Sequence, residues 1–183
     1  MIGVLLNGIH GCYNFTKKRP GLLGKAVEEE KLMKILEAAR LAPSWSNKQG
    51  CKYVVVKNKA TINEIAVGFT SWLSEAPVLL AACIDPKDSG SYNNMDYYLV
   101  DVGISMQQLV LAATDLGLGT CWIGGFEEAK VKKVLEIPAN VRVVALTPVG
   151  YAAPISERSK TLREFVKASK RKPLEEMVHR EKW

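Results

Sequence analysis

The stretch from residue 96 to residue 125 constrains this 183-residue chain more than any other. Leu99, Gly103, Met106, Val110 and Ala113 recur at helical spacing, and Leu109 and Leu116 broaden the stripe. The spacing predicts a long helix over 96–116, with Gly117 able to supply its C-cap. Thr120-Cys121-Trp122-Ile123 then reads as a strand that Gly124-Gly125 breaks. A helix this apolar must be covered on much of its surface. A chain of this length has limited core in which to do so.

The rest of the chain supplies partners for that helix. Residues 28–41, EEEKLMKILEAARL, predict a helix with Leu32, Ile35, Leu36 and Ala39 inward, three glutamates favouring its start and Pro43 stopping it. Tyr53-Val54-Val55-Val56 reads as a buried strand, since its β-branched residues run without alternation. Residues 60–75 predict a short helix carrying Ile62, Ile65 and Trp72. Residues 77–84 predict a second buried strand, 85–91 a loop, 127–136 an amphipathic helix and 141–149 a last strand. Helices alternate with strands and no internal repeat interrupts them, which implies a three-layer sandwich without fixing strand direction.

Charge is unevenly placed. The formal net charge is +6, yet residues 32–156 hold 11 basic and 11 acidic residues. The excess sits at the two ends, +2 over residues 1–31 and +4 over 157–183. Anion binding at the ends, nucleic-acid tails or plain solvation would each produce that pattern. The interleaved acids of the tail and the absence of a basic–aromatic motif argue against nucleic acid. The longest clean apolar run, 76–84, is nine residues, far short of the roughly 20 a spanning helix needs. Nothing at the start reads as a signal peptide. Cys12, Cys51, Cys83 and Cys121 form no CxxC pair, so free thiols and a cytoplasmic location are expected.

Three kinds of segment could carry chemistry. Pro43-Ser44-Trp45-Ser46-Asn47-Lys48-Gln49 concentrates hydroxyl and amide groups that can read a planar heterocycle, or that simply cap a turn. Gly124-Gly125 at a strand end offers two backbone N–H groups with no Cβ in the way of a flat ligand, or marks a bulge. Its context, GxGxxxxGG running from helix into strand, is the reverse of a dinucleotide fingerprint. Lys17-Lys18-Arg19 and Lys170-Arg171-Lys172 could each hold a phosphate, or be solvated surface. His10 and His179 are poor catalytic candidates. There is no HExxH, GxSxG, P-loop or paired-carboxylate pattern, so no metal site and no catalytic side chain is expected.

Together these segments resemble the FMN-dependent nitroreductase family, in particular its short clostridial-type branch. ILEAARLAPSWSNKQ, YYLVDVGISMQQLVLAATDLGLGTCWIGGF and RKPLEEMVHREKW resemble the family's first, central and C-terminal blocks, and the likeness spans roughly residues 25–183. The resemblance implies an α+β fold, a three-layer α/β/α sandwich with a mainly antiparallel central sheet. It implies one domain over 1–183, whose end segments contribute to a homodimer. It implies FMN at the dimer interface, NAD(P)H as reductant and a nitroaromatic, quinone or similar small acceptor. On this reading Ser44, Asn47 and Gln49 touch the isoalloxazine and ribityl. Gly124 and Gly125 face flavin N5 and O4, and Lys170, Arg171 and Lys172 hold the phosphate.

The chain departs from the family pattern in two places. It lacks the early RRS-x-R motif. Counting back without gaps puts Lys17, Lys18 and Arg19 there, as point charges in place of guanidinium forks. A register anchored on Phe15 would put Ile9, His10 and Gly11 there instead; the first keeps cations at the phosphate. That altered segment leaves room for a second reading, a flavin-binding dimer with little turnover. The other departure is Gly50-Cys51, where the family often has proline or cysteine followed by tryptophan, and it predicts looser packing at the start of the strand.

Overall fold

The computed structural model describes residues 22–152 and 172–183. In chain order the elements are β1 (Leu22–Leu23), α1 (Glu29–Arg40), β2 (Lys52–Val56), α2 (Lys59–Ile65), β3 (Val78–Ile84), β4 (Ser91–Tyr92), β5 (Met95–Asp96), α3 (Tyr98–Asp115), β6 (Gly119–Thr120), α4 (Glu128–Val134) and β7 (Arg142–Ala152). Short 3₁₀ turns at Trp45–Asn47, Gly68–Glu75, Pro86–Asp88 and Leu174–Glu176 connect or follow them. No helix among the described residues is long and apolar enough to cross a membrane.

The main sheet runs β1-β7-β3-β2, with β6 also pairing β7, and every pairing is antiparallel. Strand β3 is its centre and is buried throughout. Because side chains alternate along a strand, Leu79, Ala81 and Cys83 face a layer made by α2, the Gly68–Glu75 turn and α4, meeting Ile62, Ile65, Leu73 and Val131. Val78 and Leu80 face the opposite layer, against Leu32, Ile35 and Ala39 of α1 and Leu109 and Ala113 of α3. Ala82 and Ile84 extend that face to Val102 and Met106. The fold is the expected α+β three-layer sandwich, and its sheet is antiparallel.

Several local expectations need correction. Val55 is 38% exposed, because β2 ends the sheet and lacks a neighbour on one side. The helix expected over 60–75 splits in two at Gly68, whose φ of 55° leaves the helical region. The strand expected over 120–123 narrows to β6 plus one bridge, Ile123 to Leu146. Leu99, expected on the inward stripe of α3, is 51% exposed. The buried face runs instead through Asp101, Val102, Ser105, Met106, Leu109 and Ala113. Gly117 closes α3 with φ 73°, as expected.

Gly50 does not loosen the start of β2. It is buried, and a Cβ added there would lie 2.5 Å from the Asp88 carbonyl oxygen. The glycine permits close approach of two backbone segments. The β4–β5 hairpin was not anticipated. Asn93 and Asn94 turn it with φ of 51° and 60°, the left-handed pair that a two-residue hairpin turn requires.

Candidate functional site

Helix α1 ends beside the start of β2, and the polar loop between them turns tightly. Ser46, Asn47 and Gln49 all adopt positive φ, at 46°, 55° and 54°. Asn accepts that region readily; Ser and Gln do so at a cost of about 1–2 kcal/mol each. Local bonds oppose the strain. The Ser44 hydroxyl oxygen accepts from the Gln49 N–H at 2.9 Å, and the Gln49 side chain donates to the Asn47 carbonyl at 3.3 Å. Ser46, Asn47 and Gln49 are exposed, so their hydroxyl and amide groups face outward.

A buried carboxylate stands behind this loop. Asp101 lies in the first turn of α3 and is only 4% exposed. Its Oδ1 accepts from the Trp45 N–H at 2.8 Å and its Oδ2 from the Ser89 hydroxyl at 2.6 Å. Lys48 donates to the Ser89 carbonyl at 2.6 Å. The Trp45 ring lies 4.4 Å from that of Tyr97 and packs over Gly90, where an added Cβ would come within 2.1 Å of Nε1. Ser44 and Gln49 line a small cavity of about 100 Å³ with Cys51, Asp101 and Ser105. Beneath it the Ser105 hydroxyl donates to the Ala39 carbonyl at 2.9 Å, and the Tyr53 hydroxyl sits 2.9 Å from Ser105. Burial pushes both the Cys51 thiol and the Tyr53 hydroxyl up from their ordinary values. Cys51 therefore stays a thiol near neutral pH and is a poor nucleophile.

Gly124 and Gly125 lie elsewhere on the chain's surface. Both are exposed, and a Cβ added at either would meet open space. Gly124 lines a cleft of about 210 Å³ with Tyr98, Leu99, Phe126, Glu128 and Arg142. Gly125 lines another of about 500 Å³ with Val67, Phe69, Phe126 and Lys130. Neither cleft shares a lining residue with the Ser44–Gln49 cavity. Lys172 is exposed and forms an ion pair with Glu176 at 3.5 Å. Lys17, Lys18, Arg19, Lys170 and Arg171 lie outside the described residues, as does His10.

The structure thus groups Ser44, Asn47 and Gln49 in one loop and Gly124 with Gly125 after β6, and within a single chain the two groups line no common cavity. Sequence reasoning missed Asp101, Ser89 and Gly90. A usable signal existed for the first: an aspartate within an otherwise apolar helix must be hydrogen-bonded if it is buried.

The chain is similar to known proteins over most of its length. The sequence model of the Nitroreductase family matches residues 19–70 and 64–151. The chain is 31% identical over 166 residues to a protein of Archaeoglobus fulgidus that carries the provisional name NADH dehydrogenase/NAD(P)H nitroreductase, covering 87% of this chain and 89% of that one. It is 31% identical over 156 residues to an FMN reductase [NAD(P)H] of Bacillus subtilis, covering 74% and 62%. Among solved structures, a nitroreductase family protein of Clostridium novyi NT superposes with a TM-score of 0.69 at 39% identity, over 72% of this chain and 78% of that chain.

Proposed function

The chain belongs to the nitroreductase family, and from that premise we propose that it is an FMN-dependent oxidoreductase that draws on NAD(P)H and reduces a small nitroaromatic, quinone or similar acceptor. The observation that carries this reading is the Ser44–Gln49 loop. It is held in a strained backbone, its Ser46, Asn47 and Gln49 are exposed, and it occurs in a chain of this family. Its donor set fits a flat heterocycle with alternating hydrogen-bonding edges. The open space at Gly124 and Gly125 fits the close approach of a planar ring.

FMN held by these residues would supply the redox chemistry, a two-electron exchange between nicotinamide and acceptor. The chain's own residues bind, orient and tune. Ser44, Asn47 and Gln49 would hold the isoalloxazine and ribityl. The backbone N–H groups of Gly124 and Gly125 would face the ring edge where negative charge collects on reduction, favouring the reduced form. Lys17, Lys18, Arg19, Lys170, Arg171 and Lys172 would neutralise the phosphate. No side-chain acid or base is assigned to the electron transfer.

The same reading makes the protein a homodimer built from one domain per chain. Two features support it. The loop and the glycine pair line separate cavities, as expected of a site assembled from two copies. The outer face of α3 exposes Leu99, Val100 and Ile104, an apolar stripe suited to a second copy. Among the described residues Cys51 and Cys83 are free thiols, which agrees with a reducing cytoplasm.

A visible absorbance spectrum of the purified protein tests the reading. Flavin bands in the blue and near-ultraviolet are expected. They should bleach on adding NAD(P)H without oxygen and return on adding menadione or nitrofurazone. A colourless protein that takes up no FMN would overturn it.

A further inference from the structure

We infer that Asp101 is the positioning residue for the Ser44–Gln49 loop: its buried carboxylate ties the loop to the Ser89-Gly90 corner, so that the loop is set in its binding shape before any ligand arrives.

Three non-glycine residues of the loop hold left-handed backbone, a conformation that persists only when the surroundings over-determine it. The bonds inside the loop, Gln49 to Ser44 and Gln49 to Asn47, can close the turn but cannot fix it to the fold. Asp101 does that. One oxygen takes the Trp45 N–H, which has no partner in a helix or strand ladder; the other takes the hydroxyl of Ser89, which is itself 4% exposed. Lys48 reaches the Ser89 carbonyl from the other end of the loop, and the Trp45 ring closes over Gly90 against Tyr97. The loop is thus anchored at both ends on a corner 41 to 45 residues away in sequence, with the carboxylate as the joint. A buried carboxylate is costly unless its oxygens are bonded. Removing it leaves two donors unmatched and the strained turn free to relax. Preorganisation of this kind lowers the ordering cost of binding. That Asp101 sets FMN affinity rests on the function proposed above; that it sets the loop does not.

The test compares the full-length wild type with Asp101→Ala, Asp101→Asn and Ser89→Ala in two measurements. Hydrogen exchange without FMN follows residues 44–50, with β3 as the internal reference; fluorescence titration gives the FMN dissociation constant. Asp101→Ala should exchange at 44–50 at least tenfold faster with β3 unchanged, and should bind FMN at least tenfold more weakly. Asp101→Asn should stay within about threefold of wild type on both, because Asn Oδ1 still accepts the Trp45 N–H and its amide can still bond Ser89. Ser89→Ala should move in the direction of Asp101→Ala by a smaller factor, and it decides the matter if Asp101→Ala does not fold. Unchanged exchange at 44–50 in a folded Asp101→Ala or Ser89→Ala protein would overturn the positioning role. Faster exchange with unaltered FMN affinity would overturn its link to binding. Faster exchange in a protein whose wild type binds no FMN would uphold the positioning role and discard the proposed function.

Discussion

At the residue scale, Cys83 shows how burial becomes a pH effect. It is 2% exposed near the end of β3, and burial pushes its thiol up to about 12 from an ordinary 9.0. The folded state therefore holds the proton more tightly than the unfolded chain does. The associated stability is complete below about pH 9 and is lost as pH rises toward the folded value. Linkage gives about 1.4 kcal/mol per pH unit in that window, or roughly 2 kcal/mol by pH 10.5. Tyr53 acts in the same direction, since burial raises its hydroxyl too. Urea unfolding at pH 8 and pH 10.5 should show Cys83→Ala losing less stability between the two than wild type does, by about that amount. Equal losses would show that the thiol does not titrate in this window. A cysteine in an apolar run was readable as a buried hydrophobe. Gly50 was misread, because its role depends on Asp88, which lies 38 positions away in the chain.

At the element scale, α4 is pinned to the start of β7 by one carboxylate. Glu128 accepts from Arg142 Nε at 2.9 Å and Nη2 at 3.0 Å, and from the Val143 N–H at 2.9 Å. The Arg142 guanidinium is the chief cause that holds the Glu128 carboxyl below its ordinary value. Glu128→Ala should cost about 1–2 kcal/mol at pH 7, a reduced figure because Arg142 is half exposed. The folded value is lowered, so this stability exists above the ordinary 4.5 and disappears as pH falls through the folded value. Thermal unfolding of the pair should therefore converge in acid; a gap that persists there would assign the loss to packing. Helix periodicity located α1, α3 and α4 to within a few residues. It erred on the rotation of α3, because apolar residues surround that helix. Which face is buried depends on what packs there, and Asp101 points inward only because Trp45 and Ser89 are present to receive it.

At the scale of the whole molecule, the separated loop and glycine pair tie the proposed activity to assembly. Val100 and Ile104 stand one helical turn apart on the outer face of α3, 43% and 36% exposed. Neither lines the cavities beside the loop or the glycine pair. Replacing both by glutamate should move the light-scattering mass from dimer toward monomer, and flavin retention should fall with it. A double variant that remains dimeric with full flavin would place the interface elsewhere. The +6 charge belongs to the same scale. Its concentration at the chain ends is plain in the sequence, but any phosphate site built from both ends depends on where the fold puts them.

The order of the main helices and strands, the three-layer architecture and the family were legible in the sequence by itself, because each rests on local periodicity and on motifs contiguous in the chain. The polar loop and the glycine pair were legible for the same reason. Tertiary structure alone decided which face of α3 is buried, that Gly50 closes a tight approach to Asp88, and that Asp101 restrains a loop 56 residues upstream of it. Those features are contacts between distant segments. No spacing along the chain encodes them until the sheet has brought α1, α3 and the Ser89-Gly90 corner together.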